Sequence, residues 1–391
     1  MGRIFEVIGI LFNTKRNILV TCIVISIIAV FIVFISPGMG DYRAYQDQWQ
    51  FFLDGGNPWN FGIANSRDFN AYGPLHNIMA YFYAVNPKFP KFIQVLSALL
   101  ATFYLLRLAG NSNLENIDKL KLEIFLILNP LLWIFFIYLG FHDALIGSLF
   151  LFGIVAYDNK RFITSSLLLG AVTLYKFIPI FILPFLCLKS RKLNWRFSLS
   201  IFAFLTLGFG ISYWTWGKRI FDPILFGAKR VSQSASIFRI IRGEFKPLHF
   251  LGIDNLDYLS IYLVLFSLFV IFAFYLVYKI ELRQVIILSI SFVLLFYKIN
   301  HIQFYFSLML LLVYFLIKEY KIIKELSPNL LTCIKCFLLW LSFLVVMWAC
   351  AGARREFFHS IIGLPTFIIH LWMNIALIVF IVRSYKALKL F

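Results

Sequence analysis

Charge is scarce in this chain. Asp, Glu, Lys and Arg make up 14% of its 391 residues, against roughly a quarter in a soluble domain. Acids are the scarcer sign: 18 Asp and Glu stand against 36 Lys and Arg, a formal net charge of +18. Five cysteines are too few and too scattered for a disulfide framework. Cys333 and Cys336 make a CxxC, but inside an apolar run, where they read as a small-residue helix face. No repeat, low-complexity tract or polar linker divides the chain. These absences exclude a string of soluble domains and a disulfide-stapled scaffold. Nor does the basic balance imply a nucleic-acid partner, because Lys and Arg flank membrane segments on the cytoplasmic side.

What the chain has is apolar length. Hydrophobic residues make up 61% of it, and its mean hydropathy is +0.86. Apolar runs fall at about 18–36, 91–108, 122–140, 143–157, 162–175, 177–188, 196–216, 257–280, 284–297, 301–317, 332–350 and 364–384. Crossing a hydrocarbon core takes about 20 helical residues. Inside it every backbone polar group must be satisfied within the chain, so each run should be a helix. The expected fold class is all-α: a single domain over 1–391, polytopic, with about twelve transmembrane helices. Residues 1–17 are too polar for a signal-peptide core and 18–36 lack a clear cleavage site, so the first run reads as an uncleaved helix.

Basic residues set the expected orientation. Lys15 and Arg16 precede the first run, which places the N-terminus in the cytoplasm. Twelve crossings bring the C-terminus back there, with Lys119, Lys160, Arg191, Arg283, Lys318 and Arg383 on the same side. Two loops then lie outside. The first, 37–90, carries two amphipathic or apolar stretches, 44–53 and 75–85, which read as short interfacial or re-entrant helices. The second, 217–256, holds Lys218, Arg219, Lys229, Arg230, Arg239, Arg242 and Lys246. Seven basic residues there run against the positive-inside bias and suit a phosphate or an anionic headgroup. The Phe-, Ile- and Lys-rich usage points to a bacterial or archaeal plasma membrane.

Four polar clusters converge on that outer face by alternation. Asp41 follows the first helix; Gly140-Phe141-His142-Asp143 ends a short hairpin; Tyr175-Lys176 breaks two short runs before Pro179; Tyr297 to Gln303 separates two others. A single loop aspartate is usually only solvated. One at the membrane surface beside aromatic rings, however, can have a raised pKa that suits a general base. A lysine at a helix break inside a membrane is costly, and reads equally as a functional cation or as one snorkelling to the headgroups. Two clusters supply carboxylates and two supply cations, which is what group transfer from a lipid-linked phosphate needs.

In order, the motifs are Asp41 after the first helix, Gly56-Asn57-Pro58-Trp59, Tyr72-Gly73-Pro74-Leu75, Asn129-Pro130, Gly140-x-x-Asp143, Lys176-x-x-Pro179 and Lys298-x-x-x-x-Gln303. This order resembles the GT-C superfamily of membrane glycosyltransferases. It is most similar to the type I mannosyltransferase of glycosylphosphatidylinositol synthesis and its bacterial polyprenyl-phosphate-mannose relatives. The resemblance covers 37–190 best and returns at 297–312. It implies inverting transfer of a monosaccharide, mannose by analogy, from a polyprenyl-phosphate donor to a lipid or glycan acceptor. It implies Asp41 as base, Asp143 as an assisting or acceptor-orienting acid, and Lys176 and Lys298 at the donor phosphate. The family's acidic pair reads Met39-Gly40-Asp41 here, so one acid remains and no metal cofactor is expected. Arg239, Arg242 and His301 join the phosphate site by charge and side alone. A lipid-linked-oligosaccharide flippase and a polysaccharide polymerase or ligase are the alternatives. The flippase should show repeat symmetry and a polar path at the midplane; the polymerase would not need the early aspartate.

Overall fold

The computed structural model describes residues 15–37, 39–60, 70–189, 191–234, 236–239, 256–278, 280–351 and 355–389. The described chain is almost entirely helical. Its helices are α1 (Lys15–Ile35), α2 (Asp41–Leu53), α3 (Pro74–Val85), α4 (Phe89–Gly110), α5 (Asn116–Leu128), α6 (Asp143–Asp158), α7 (Phe162–Tyr175), α8 (Leu183–Cys187), α9 (Trp195–Trp216), α10 (Asp222–Lys229), α11 (Leu259–Val277), α12 (Leu282–Phe296), α13 (Tyr305–Leu326), α14 (Pro328–Ala351) and α15 (Arg355–Lys389). A π-helical segment, Leu131–Leu139, continues α5, and 3-10 turns span Ile178–Ile182, Gly217–Phe221 and Ile302–Phe304. Among the described residues, strand pairing is confined to two-residue ladders. β1 (Leu188–Lys189) pairs antiparallel with β2 (Lys192–Leu193), and β3 (Gln233–Ser234) pairs parallel with β4 (Ile299–Asn300).

Among the described residues, each of the twelve apolar runs is largely helical. Six helices among the described residues are long and apolar enough to cross a membrane, among them Phe89–Gly110, Leu259–Val277 and Ile362–Ala387. The run 177–188 differs from its expected span. Pro179 and Pro184 divide it into a 3-10 turn and the single turn of α8. Ten residues cover at most about 20 Å, short of a core of about 30 Å.

Burial sorts the helices. α13 is buried along most of its length, and α6 and α12 pack against it. α1, α9 and α11 turn large apolar side chains outward, with Trp214 90%, Phe202 71% and Phe269 70% exposed. Apolar surface on this scale is not left facing water in a soluble monomer. The protein is therefore membrane-embedded and multi-pass.

Three local features set the positions of Asp143 and Lys176. Asn129 accepts from the Leu131 N–H at 2.9 Å, and Pro130 starts the π segment, which ends at Gly140 in the left-handed region (φ 84°). Buried Lys91 donates to the Tyr138 carbonyl at 2.6 Å and to Ser36 Oγ. Its Nζ thus sits at the negative, C-terminal end of that segment. The Lys176 backbone is extended (φ −150°, ψ 126°), because Pro179 and the following turn end α7 there.

Candidate functional site

The site is built on aromatic packing. α2 buries Tyr42, Tyr45, Gln48 and Trp49, at helical spacing, and leaves Arg43, Asp47 and Gln50 exposed. The buried face packs on α3, where Trp49 Nε1 donates to the His76 carbonyl at 3.1 Å. Tyr45 and Tyr72 join hydroxyls at 2.6 Å. The Gly73 N–H donates to the Tyr175 carbonyl at 2.9 Å, which ties the segment before α3 to the break at Lys176. Only glycine fits at 73: a Cβ there would lie 2.2 Å from the Leu174 carbonyl oxygen.

Beneath this layer lies a buried imidazole pair. His76 Nδ1 and His142 Nδ1 are 3.0 Å apart, and the Tyr175 hydroxyl reaches His142 Nδ1 at 2.5 Å. Burial pushes His76 down to about 3. Burial first, then His76 and Lys176, hold His142 well below the usual imidazole range. Burial thus favours the neutral form of both rings, and they fix the turn that presents the next residue, Asp143.

Asp143 Oδ1 pairs with Lys176 Nζ at 2.6 Å, with both side chains largely buried. Its other oxygen, Oδ2, is buried with no hydrogen-bond partner among the described residues. The Lys176 ammonium also sits 3.5 Å over the Phe304 ring centroid and 5.7 Å over that of Tyr72. Burial lowers its pKa, while Asp143 and then Asp41 oppose the shift. Asp41, at the start of α2, keeps exposed surface. Gln303 Nε2 donates to its Oδ2 at 3.5 Å, a long bond. Surrounding protein and then Asp143 raise the Asp41 pKa, whereas Arg230 and Lys176 lower it. Asp41 is thus an exposed carboxylate, coupled to one buried ion pair and one guanidinium.

Three expected residues, Asp41, Asp143 and Lys176, come together here. Lys298 lies between α12 and β4. Its backbone N–H donates to Ser260 Oγ at 2.9 Å, and the charge acting on it is that of Asp257. His301 stacks edge-on with Phe304, one ring away from Lys176. Arg239 lies in the short segment after β3, half-buried, with its N–H on the Ser236 carbonyl. Arg242 lies outside the described residues.

The residue that sequence reasoning passes over is Arg230. It is one of seven basic residues in its loop, and nothing in its spacing singles it out. The β3–β4 ladder folds this loop onto the 299–300 segment, and Arg230 interacts electrostatically with Asp41, Tyr297 and Tyr72. Gln303 is legible, as the last position of the Lys298 motif. Among the described residues no three His, Cys, Asp or Glu side chains form a group that could hold a metal ion.

The arrangement brings one exposed carboxylate together with two cationic side chains. It can take a proton from a hydroxyl and neutralise a phosphate formed nearby. No protein-family model matches this chain, and no curated protein matches it in sequence.

Proposed function

We propose that this protein is an inverting glycosyltransferase of the GT-C type. It moves a monosaccharide, mannose by the family resemblance, from a polyprenyl-phosphate donor to a lipid or glycan acceptor. The observation that carries this reading is Asp41: an accessible carboxylate of raised pKa beside the Lys176–Asp143 pair and Arg230. About twelve apolar segments, the short 177–188 run among them, form the bundle, with both termini cytoplasmic and the site facing outside, as the distribution of Lys and Arg favours.

The chemistry follows from the positions. The acceptor hydroxyl gives its proton to Asp41 while its oxygen attacks the anomeric carbon from the face opposite the phosphate. The bond from that carbon to the phosphate oxygen breaks, and the electron pair leaves with the lipid phosphate. Lys176 and Arg230 stabilise the charge that develops there. Phosphate is already a good leaving group, so no general acid is required. The unpartnered Asp143 Oδ2 accepts a second hydroxyl of donor or acceptor, which orients it.

The test is donor class. Purified protein in detergent is given a sugar on polyprenyl monophosphate, on polyprenyl diphosphate or on a nucleotide. Transfer from the monophosphate with inverted anomeric configuration is expected. Turnover confined to the diphosphate donor would point to a polymerase or ligase, and no turnover with any donor would remove the enzyme reading.

A further inference from the structure

A second polar site lies at the far end of α6. Asp143 opens that helix and Asp158 closes it, a span of sixteen residues, about 24 Å at the helical rise. There a cavity of about 670 Å³ is lined by Tyr157, Lys160, Arg191, Tyr275 and Tyr278, together with the start of α12. That volume lies in the range of small-ligand sites.

Two of its basic residues sit in a conformation that side chains avoid. Lys160 (φ 60°) and Arg191 (φ 65°) are the only non-glycine residues at positive φ among the described residues. Glycine or Asn would meet both turns at lower cost. Residues held in such regions cluster at ligand sites. Both outliers line one cavity.

The charges there divide cleanly. Arg283 is already used: its Nε meets Asp158 at 3.1 Å, it also pairs with Glu319, and Tyr314 donates to the same Asp158 oxygen at 2.7 Å. Glu281 is an exposed acid on the rim. Arg191 donates to the Val277 carbonyl at 2.8 Å and keeps its other N–H groups. The Lys160 ammonium makes no hydrogen bond or ion pair with the described residues and is exposed. The N-cap residue of α12, Glu281, makes no capping hydrogen bond with its side chain, and that first turn opens into the same space. Two available cations and an uncapped helix start together favour an anion.

The wall identifies the source of that anion. Tyr275 and Tyr278 end α11, a helix that turns Phe266, Phe269 and Val277 outward. Tyrosines at the end of an outward-facing apolar helix mark the headgroup layer. We infer that this cavity binds the phosphate of an anionic phospholipid headgroup, held by Lys160, Arg191 and the start of α12. By the positive-inside bias the lipid belongs to the cytoplasmic leaflet. Lipid binding there does not depend on the sugar-transfer reading.

The test uses the full chain in nanodiscs or detergent, with lipid retention read by native mass spectrometry. Phosphatidylglycerol is offered against phosphatidylcholine, with inorganic phosphate as a soluble competitor. Wild type should retain phosphatidylglycerol selectively and keep it in millimolar phosphate. Lys160→Gly and Arg191→Gly suit the left-handed backbone, so each should keep the wild-type melting temperature. Each should weaken retention by about tenfold, and the pair by about a hundredfold. Lys160→Asn, also tolerated at positive φ, should behave as Lys160→Gly does. Unchanged retention in folded double variants would overturn the site. Displacement by inorganic phosphate would overturn the lipid assignment.

Discussion

Asp41 combines two properties that usually exclude each other, open surface and a raised pKa. Surrounding protein supplies most of the shift and Asp143 adds to it. The base form is therefore lost as pH falls through a value above the ordinary carboxylate range. The acidic limb of kcat/KM should lie higher than about pH 4. Arg230 lowers that pKa, so Arg230→Gln should move the limb upward as well as raise KM for the donor; a pH–rate profile of the two proteins checks both. The buried pair gives a second prediction. Lys176→Met strands the Asp143 carboxylate and should cost about 3–5 kcal/mol. Lys176→Met with Asp143→Leu should recover much of that stability while remaining inactive, as read by thermal unfolding in detergent. Asp41, Asp143 and Lys176 are legible in the sequence because each falls where a helix begins, ends or breaks. Arg230 and His142 are not. One depends on a long-range loop contact, and the other on rings that only packing brings within 3 Å.

At the scale of elements, two glycines hold the site together. Gly73 lets the segment before α3 touch the backbone at Leu174, and Gly140 turns the π segment into α6 at φ 84°. At Gly140 a Cβ would also meet the Tyr42 ring at 2.9 Å. Gly140→Ala should cost about 1–2 kcal/mol from backbone strain alone, with the contact adding to it. Gly73→Ala should lower kcat by displacing Lys176 while Asp41 stays in place. Melting curves and turnover of the two variants separate these effects. All the apolar runs are readable, since hydrophobic length is a one-dimensional signal. The α2 and α3 helices are readable too, within three residues at α2's start and one at α3's. The π segment is not, because its residues read as an ordinary apolar helix. Nor is the β3–β4 ladder, whose two residues per strand carry no periodicity.

Over the whole molecule, polarity gathers at the two ends of α6 and apolar surface wraps the outside. The membrane assignment follows from that wrapping and from the six long apolar helices. The orientation rests on charge alone and has its own check. In a cysteine-free background, Arg43→Cys on α2 should react with a membrane-impermeant maleimide in intact cells. Lys192→Cys on β2 should react only after permeabilisation. The reverse pattern would turn the protein over and place the site in the cytoplasm. The central claim is that Asp41 is the base of a sugar transfer from lipid phosphate. Its most direct test is release of polyprenyl phosphate by wild type, Asp41→Asn and Asp47→Asn. Asp47 is an exposed acid on the same helix and serves as the control. The account predicts release from wild type and Asp47→Asn, with loss of at least about a thousandfold in folded Asp41→Asn. Wild-type release from folded Asp41→Asn would contradict it.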